Sequence, residues 1–491
     1  MSRLLLALAN ARQIPLRDKS IHMVCTSPPY LGLRQYQGIE PTIWGGDPAC
    51  MHTWGDEHRI TRSSGGERIY GSSDGHVGRG QAPTLSPWAC CSLCGAWWGT
   101  LGNEDMPDCL AWARGEPACS SCYTCHLRIV AAEIWRVLRD DGTLWLNIAD
   151  SYSSGGRGTS VHHQKKLGFA TAAAQALGKK FTPGFKPKNL LGIPWRIALA
   201  LQQDGWVLRS DIIWAKPNAM PESVRDRPSR AHEHIFLFAK YPRYFFDQEA
   251  IREDYSAKGL NDAAHAYGYG TGSKMHKAIT EGLHGAGGLN DPSMTRDAFY
   301  QHGGRNARDV WTFPTQSFAG EHYAAFPQEL ARRCILAGTS AMGCCPQCAA
   351  PYVRQVDHQR LLDGHLPVTG TFSRPGEPFR IPANGKGHWL YTTQTVEQGW
   401  VPGCVCAAGD PRPCVVLDPF TGSSTTLLVA RTLGRHAVGV DLSWTYLHNV
   451  SRQRLGLTSL AAWEGRDEYH HTDEPYDSLP LFAHGCQEEA Q

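Results

Sequence analysis

The chain has 491 residues, 42% hydrophobic and 19% charged, with 51 Gly and 31 Pro; this length predicts two or three units, and this composition excludes wholesale disorder. A formal net charge of +2 means that a nucleic-acid partner has to be held by a local basic patch and not by the field of the whole chain. No uncharged apolar run approaches the roughly 20 residues of a membrane span, and the apolar stretch 4–9 falls short of the about 7–15 residues of a signal-peptide core, so the sequence reads as cytoplasmic with no membrane partner.

In chain order, Leu4 to Ala9 and Ile21 to Cys25 are short apolar runs that read as buried strands, the second stopped by the Pro-Pro pair of Thr26-Ser-Pro-Pro-Tyr30. From His126 to Leu138 apolar residues recur at helical spacing; an Asp140-Asp-Gly142 turn and a strand, Thr143 to Ile148, follow. A helix over Pro194 to Gln203 leads into strands at Trp206 to Trp214 and His234 to Ala239. Near the end come a strand at Val415 to Asp418, a helix at Ser424 to Leu433, a strand at His436 to Val440 and a helix at Tyr446 to Leu455. Strands alternating with helices predict an α/β fold with a mainly parallel sheet.

Between Ser151 and Gln203 there is no acid, whereas Arg157, Lys165, Lys166, Lys179, Lys180, Lys186, Lys188 and Arg196 are basic, a local charge of +8. Residues 255–310 are rich in glycine and weakly periodic and read as an inserted loop or small irregular module, and the tail 457–491 reads as loose.

Seventeen cysteines, mostly in Cys-x-x-Cys or Cys-x-Cys clusters, point to thiolate metal sites over disulfides, with zinc as the metal. Three sets assemble: Cys50, His52, Cys91 and Cys94, with Cys90 as a substitute ligand; Cys109, Cys119, Cys122 and Cys125; and Cys345, Cys348, Cys404 and Cys406, spaced like a zinc ribbon with an insertion between its knuckles. Four-ligand shells leave no open position for water activation, so two to three structural ions are expected.

Two motifs carry the chemistry. Asp418-Pro-Phe-Thr-Gly-Ser-Ser-Thr-Thr426 joins a strand to a helix through small residues, and Asp441 closes the next strand, where it could accept both ribose hydroxyls of an adenosine-type ligand. An ordinary strand–helix turn could share that pattern. Thr26 to Tyr30 places the Ser27 hydroxyl and the Pro28 carbonyl as acceptors for an exocyclic amine, with Tyr30 to stack on a planar base; a proline stop beside a core tyrosine is the plainer reading.

Together the motifs resemble the amino-methylating DNA methyltransferases, over about Leu4 to Leu455, and their order along the chain resembles the circularly permuted β class. The resemblance implies a Rossmann-like class I methyltransferase sheet, permuted so that Leu4 to Ala9 completes the last half. Zinc-binding insertions at 49–125 and 341–410 and a target-recognition insertion at 255–310 would interrupt it. Catalytic segments would cover 1–48 and 126–254, with a basic loop at 151–190; a cofactor-packing helix would fall in 311–340, and the S-adenosylmethionine-binding half would be 411–456. The target amine would be held by Ser27, Pro28, Pro29 and Tyr30. S-adenosylmethionine would be contacted by Asp418, Pro419, Phe420, Gly422, Ser423, Thr425 and Asp441, with Thr26 and Phe326 alongside. The segments Trp214 to Asn218, Arg227 to Glu233 and Lys240 look like the stretch after the catalytic strand, and His322 to Leu330 like the helix at the methionine end of the cofactor.

One departure is Ser424 where relatives carry glycine; serine caps helices well, so cofactor binding is expected to survive. No Pro-Cys nucleophile motif is present, which disfavours attack at cytosine carbon 5. The implied reaction is direct displacement on a flipped base in double-stranded DNA, with Lys165, Lys166, Lys179 and Lys180 on the phosphates and a cognate restriction nuclease as a possible companion. Ser27 at the head of its motif favours cytosine N4 over adenine N6. The rival is a non-catalytic, zinc-bearing DNA-binding protein on a decayed scaffold, which need not have kept both motifs intact.

Overall fold

The computed structural model describes residues 2–32, 39–55, 88–153, 185–186, 188–253, 306–316, 326–362, 391–406 and 409–457. Lys165, Lys166, Lys179 and Lys180, most of the 255–310 module, and the tail from 458 lie outside the described residues.

The elements in order are β1 (Leu4–Leu8), β2 (Ile21–Thr26), β3 (Thr42–Trp44), β4 (Ala89–Cys90), β5 (Trp97–Gly99), α1 (Tyr123–Val137) and β6 (Leu138–Ile148). Then come α2 (Ile193–Gln203), β7 (Val207–Ala215), β8 (His232–Ala239), β9 (Val310–Thr312), α3 (Gln328–Gly338) and the hairpin β10 (Tyr352–Leu362) with β11 (Tyr391–Pro402). The chain continues with β12 (Val415–Asp418), α4 (Thr425–Thr432), β13 (His436–Asp441), a π-helical turn Tyr446–Ser451 and the short α5 (Arg452–Arg454).

Eight strands form one sheet in the order β1-β13-β12-β2-β6-β8-β7-β9. Every strand runs parallel to the rest except β8, which is antiparallel to both β6 and β7. β1 pairs with β13 from Leu4↔Ala437 to Leu8↔Asp441, so the first residues of the chain close the edge beside its last strand.

The central strands are apolar at nearly every position because both faces are covered. In β2 all six residues are buried: Ile21 and Val24 face one core with α1 and α2, while Met23 and Cys25 face another with α3 and α4. The expected Asp140-Asp-Gly142 turn is an excursion inside β6: Ile21 and Met23 of β2 pair with Leu138 and Thr143, so residues 139–142 bulge out of the ladder. Asp150, just past β6, caps α2 by accepting from Gly192 N and Ile193 N at 3.0 Å each.

The helix expected at His322 to Leu330 starts later, at Gln328 after Pro327, and continues to Gly338. The helix expected at Tyr446 to Leu455 is mostly a π turn. Two small sheets stand apart, β3-β5-β4 and the β10–β11 hairpin. Among the described residues no helix is long and apolar enough to cross a membrane.

Candidate active site

The end of β12 delivers Asp418 into the interior, 1% exposed. Its carboxylate accepts from Thr26 Oγ1 and Thr426 Oγ1, both at 2.7 Å, and from Phe420 N at 3.1 Å. Burial pushes this carboxyl up to about 6, against the pull of the two hydroxyls and the backbone N–H. Asp418 and Thr26, expected as cofactor contacts, are thus spent on each other, fixing the cofactor turn to the strand that carries Ser27.

Beyond Asp418 the chain turns sharply, with positive φ at Gly422 (46°) and Ser424 (59°). Ser424 makes no side-chain cap to α4; it occupies a left-handed position that favours glycine, and its hydroxyl lies 3.2 Å from Thr421 Oγ1. The capping role expected of it is not what the structure shows. Ser423 and Thr425 are buried, and both hydroxyls receive Arg454 Nη1 at 2.8 Å, so these two expected cofactor contacts face Arg454.

Asp441 ends β13 beside this turn. Its two oxygens accept Gly422 N at 2.8 Å and Ser443 N at 2.9 Å, and burial raises its pKa. The Leu442 N–H bears on this group as well; a carboxylate offers about four acceptor sites, so capacity remains for a ligand. Pro419, Phe420 and Leu442 line one side of an adjoining cavity with Asn10 and Pro29; Trp44, Leu101 and Asn103 form the other. The Asn103 amide oxygen is buried in that wall without a partner among the described residues. The cavity wall is thus largely apolar with one orphan acceptor, and Asp441 stands next to Leu442 in it. Phe326 sits before α3, packed on the α3–α4 core.

Two strands meet at the second motif. Ser27 Oγ donates to Tyr30 Oη at 3.1 Å, and Tyr30 Oη donates to Glu233 Oε2 at 2.8 Å. Asn147, near the end of β6, donates to Tyr30 Oη at 2.7 Å and to Glu233 Oε2 at 2.8 Å, while Lys216 ion-pairs with Glu233 Oε1. The Pro29 carbonyl accepts Tyr123 Oη at 2.7 Å; no donor among the described residues meets the Pro28 carbonyl. Gly32 N donates to Gly102 O at 2.6 Å, and the loop that presents Gly102 is held by Glu104, which pairs with His126 at 2.6 Å in full burial. Glu233 ends the Arg227 to Glu233 segment singled out from sequence, with no role assigned to it there, whereas Asn147 was not singled out. Asn147 is the polar break in the apolar run Leu144 to Ile148, and that break was the available signal.

All three expected cysteine sets come together, each with its ligand atoms within 4.8 Å of one another. Cys50 Sγ is 3.9 Å from Cys91 Sγ, Cys94 Sγ is 3.4 Å from His52 Nδ1, and Cys109 Sγ is 3.6 Å from both Cys122 and Cys125. A tetrahedron with ~2.3 Å metal–sulfur bonds has edges near ~3.8 Å, so the spacing fits zinc. Cys345 and Cys348 precede β10 and Cys404 and Cys406 follow β11, which puts the third set at the base of the hairpin. Cys90 is exposed and stands outside the first set. A further group, His22 with Cys344 and Cys414, is buried, but both ring nitrogens of His22 are engaged, by Ala349 O and by Val415 N.

A doubly wound sheet with an acid-tipped strand beside a small-residue turn, joined through Asp418 to an amine-sized polar corner, defines a Rossmann-like methyltransferase scaffold. The family described as DNA methylase matches residues 21–344 and 412–452, and the chain belongs to it. The stretch 345–411, which holds the hairpin, lies outside the match. Similar proteins include the type II methyltransferases M.Cfr9I of Citrobacter freundii, 43% identical over 44% of this chain and 55% of its own length, and M.SmaI of Serratia marcescens, 34% identical over 66% of this chain and 70% of its own. The match with the first therefore spans about half of that relative. The solved PvuII DNA methyltransferase (cytosine-N4-specific) covers 92% of this chain and 86% of its own at 11% identity and a TM-score of 0.39, too loose an overlay to bear on the reaction.

The raised pKa of Asp418 fixes a pH dependence. Between the ordinary value of 3.8 and about 6 the folded state keeps a proton that the unfolded chain releases, so the contribution of this group to stability is full at low pH and is lost as pH rises through about 6. Asp418→Asn removes that term. The melting temperature of the wild type relative to the variant should therefore fall between pH 4 and 6.5, and scanning calorimetry of both proteins across that range checks it.

Proposed function

We propose that this chain is a site-specific DNA methyltransferase of the type II restriction-modification kind, moving a methyl group from S-adenosylmethionine to the N4 amine of a flipped cytosine. The carrying observation is the Thr26–Asp418 hydrogen bond, which sets the amine-holding turn and the cofactor turn side by side. S-adenosylmethionine supplies an electrophilic methyl group on a sulfonium. Asp441 would take the ribose hydroxyls with its free acceptor sites, and the Phe420–Trp44 slot would take the adenine. Ser27 Oγ and the unclaimed Pro28 carbonyl would accept the amine protons, which draws the nitrogen lone pair out of the ring and aims it. Orientation then accounts for most of the rate.

The domain reading goes with it. The edge position of β1 beside β13 supports a circular permutation, and the gap in the family match supports an insertion at 341–410. Zinc would staple three small modules that lack cores of their own. The basic stretch containing Lys165, Lys166, Lys179 and Lys180 would hold the phosphates, residues 255–310 would read the sequence, and a companion nuclease would cut the unmodified site.

Digesting DNA from cells expressing the chain to nucleosides, followed by mass spectrometry, should yield N4-methylcytosine. N6-methyladenine alone would overturn the base and leave the transfer standing; no methylated amine would overturn the function.

Asp441→Ala should weaken S-adenosylmethionine binding at least tenfold, since hydrogen bonds to a charged group contribute about 1.5–3 kcal/mol each. DNA affinity should be unchanged, and calorimetric titration of each ligand measures both.

Elemental analysis of protein purified under reducing conditions should give three zinc ions per chain. Chelation should lower the melting temperature, because the ion replaces a core in each module; less than one ion per chain would remove the zinc assignment.

A further inference from the structure

We propose, resting on the methyl-transfer reading, that Glu233 is the terminal acceptor of the proton that leaves the methylated amine, reached through Tyr30 and Ser27. The hydrogen bonds give the relay a direction. Asn147 Nδ2 is a donor only, and it points at both Tyr30 Oη (2.7 Å) and Glu233 Oε2 (2.8 Å). Glu233 as a carboxylate only accepts, so the tyrosine O–H is committed to it, at 2.8 Å, and the tyrosine oxygen is left to accept. The Ser27 hydroxyl then fills that oxygen at 3.1 Å, and with Asn147 Nδ2 at 3.5 Å from the serine oxygen one lone pair is left there to accept the amine proton. Lys216 ion-pairs with the other carboxylate oxygen, which leaves Oε2 as the end of the relay.

The transfer balances along this line. The amine nitrogen forms its bond to the methyl carbon as the carbon–sulfur bond breaks, leaving a neutral thioether. The positive charge passes to the base, whose nitrogen now holds one proton too many. That proton moves to Ser27 Oγ, the serine proton to Tyr30 Oη, and the tyrosine proton to Glu233 Oε2, which ends as a neutral acid. A methylated ring amine bearing a positive charge is a far stronger acid than a carboxylic acid, so the transfer runs downhill without a strong base. Neutralising Glu233 leaves the Lys216 ammonium, only 18% exposed, without its counter-charge, which favours return of the proton to solvent before the next turnover.

The test is single-turnover transfer of labelled methyl to unmethylated DNA by the full chain, in water and in deuterium oxide, with Glu233→Gln, Tyr30→Phe and the double variant. Tyr30→Phe keeps the ring and removes only the relay hydroxyl. Each single variant should lose about a hundredfold in rate, the ordinary scale of proton-transfer assistance. Binding of S-adenosylhomocysteine and of DNA should stay within twofold. The double variant should be no slower than the worse single one, because the residues act as a unit, and the solvent isotope effect of the wild type should be absent in all three. Rates within twofold of wild type, additive losses, or an isotope effect that persists in Glu233→Gln would overturn the relay. A wild-type chain that binds both ligands and moves no label would overturn the methyl-transfer reading itself, and the relay with it.

Discussion

The site depends on one buried carboxylate. Asp418 receives hydroxyls from Thr26 and Thr426, residues 400 apart in sequence, and so joins the end of β2, the cofactor turn and the first turn of α4 at a single point. Enclosing a carboxylate is unfavourable unless donors surround it; here three do, and the raised pKa records what burial still costs. The turn that follows Thr26 carries Ser27 and then Pro29, which lines the same cavity as Phe420. Without the Asp418 contacts the parallel pairing of β12 with β2 through Val416↔Met23 and Leu417↔Val24 would set the strands but not the turns beyond them.

The cysteine sets extend that logic outward. Cys122 and Cys125 occupy the start of α1, and between and beside them stand Tyr123, whose hydroxyl holds the Pro29 carbonyl, and His126, whose ring holds Glu104. An ion on Cys109, Cys119, Cys122 and Cys125 would therefore fix a helix end that already presses on the amine-holding turn. The stacking of Trp44 on His126 at 4.1 Å links the same helix to the wall of the cavity. In this arrangement a structural metal would reach the amine-holding turn through two hydrogen bonds and one ring contact.

Much of this was legible in the sequence, for physical reasons that differ by element. Strands β2, β12 and β13 are buried on both faces and read as apolar runs, and paired cysteine knuckles have few other uses, so all three sets were recoverable from spacing alone. What escaped was set by tertiary context. Ser424 looks like a cap, but its backbone is left-handed, a conformation no side chain announces. Ser423 and Thr425 look like ligand hydroxyls, and the sequence does not show that Arg454, distant along the chain, also donates to both. Asn147 and Glu233 lie on strands that meet only because β8 is reversed between β6 and β7, a pairing that local pattern does not encode.

Three carboxylates meet three different surroundings, which under the proposed reading would let a single functional group serve structure, binding and proton transfer together. Asp418 meets two hydroxyls and a backbone N–H inside the protein, has no face toward the cavity, and acts as a tie. Asp441 meets only backbone N–H groups, those of Gly422, Ser443 and Leu442, at the tip of its strand, and would have acceptor capacity left for a ligand. Glu233 meets a lysine, an amide and a phenol at the rim of the amine corner, so its charge is both compensated and connected. The order of the donors decides these roles. A hydroxyl that both accepts from one hydroxyl and donates to a carboxylate, as Tyr30 does between Ser27 and Glu233, would pass a proton along, whereas Thr26 is enclosed against Asp418. The polar side of the site is therefore read best by asking of each carboxylate what its donors can still accept.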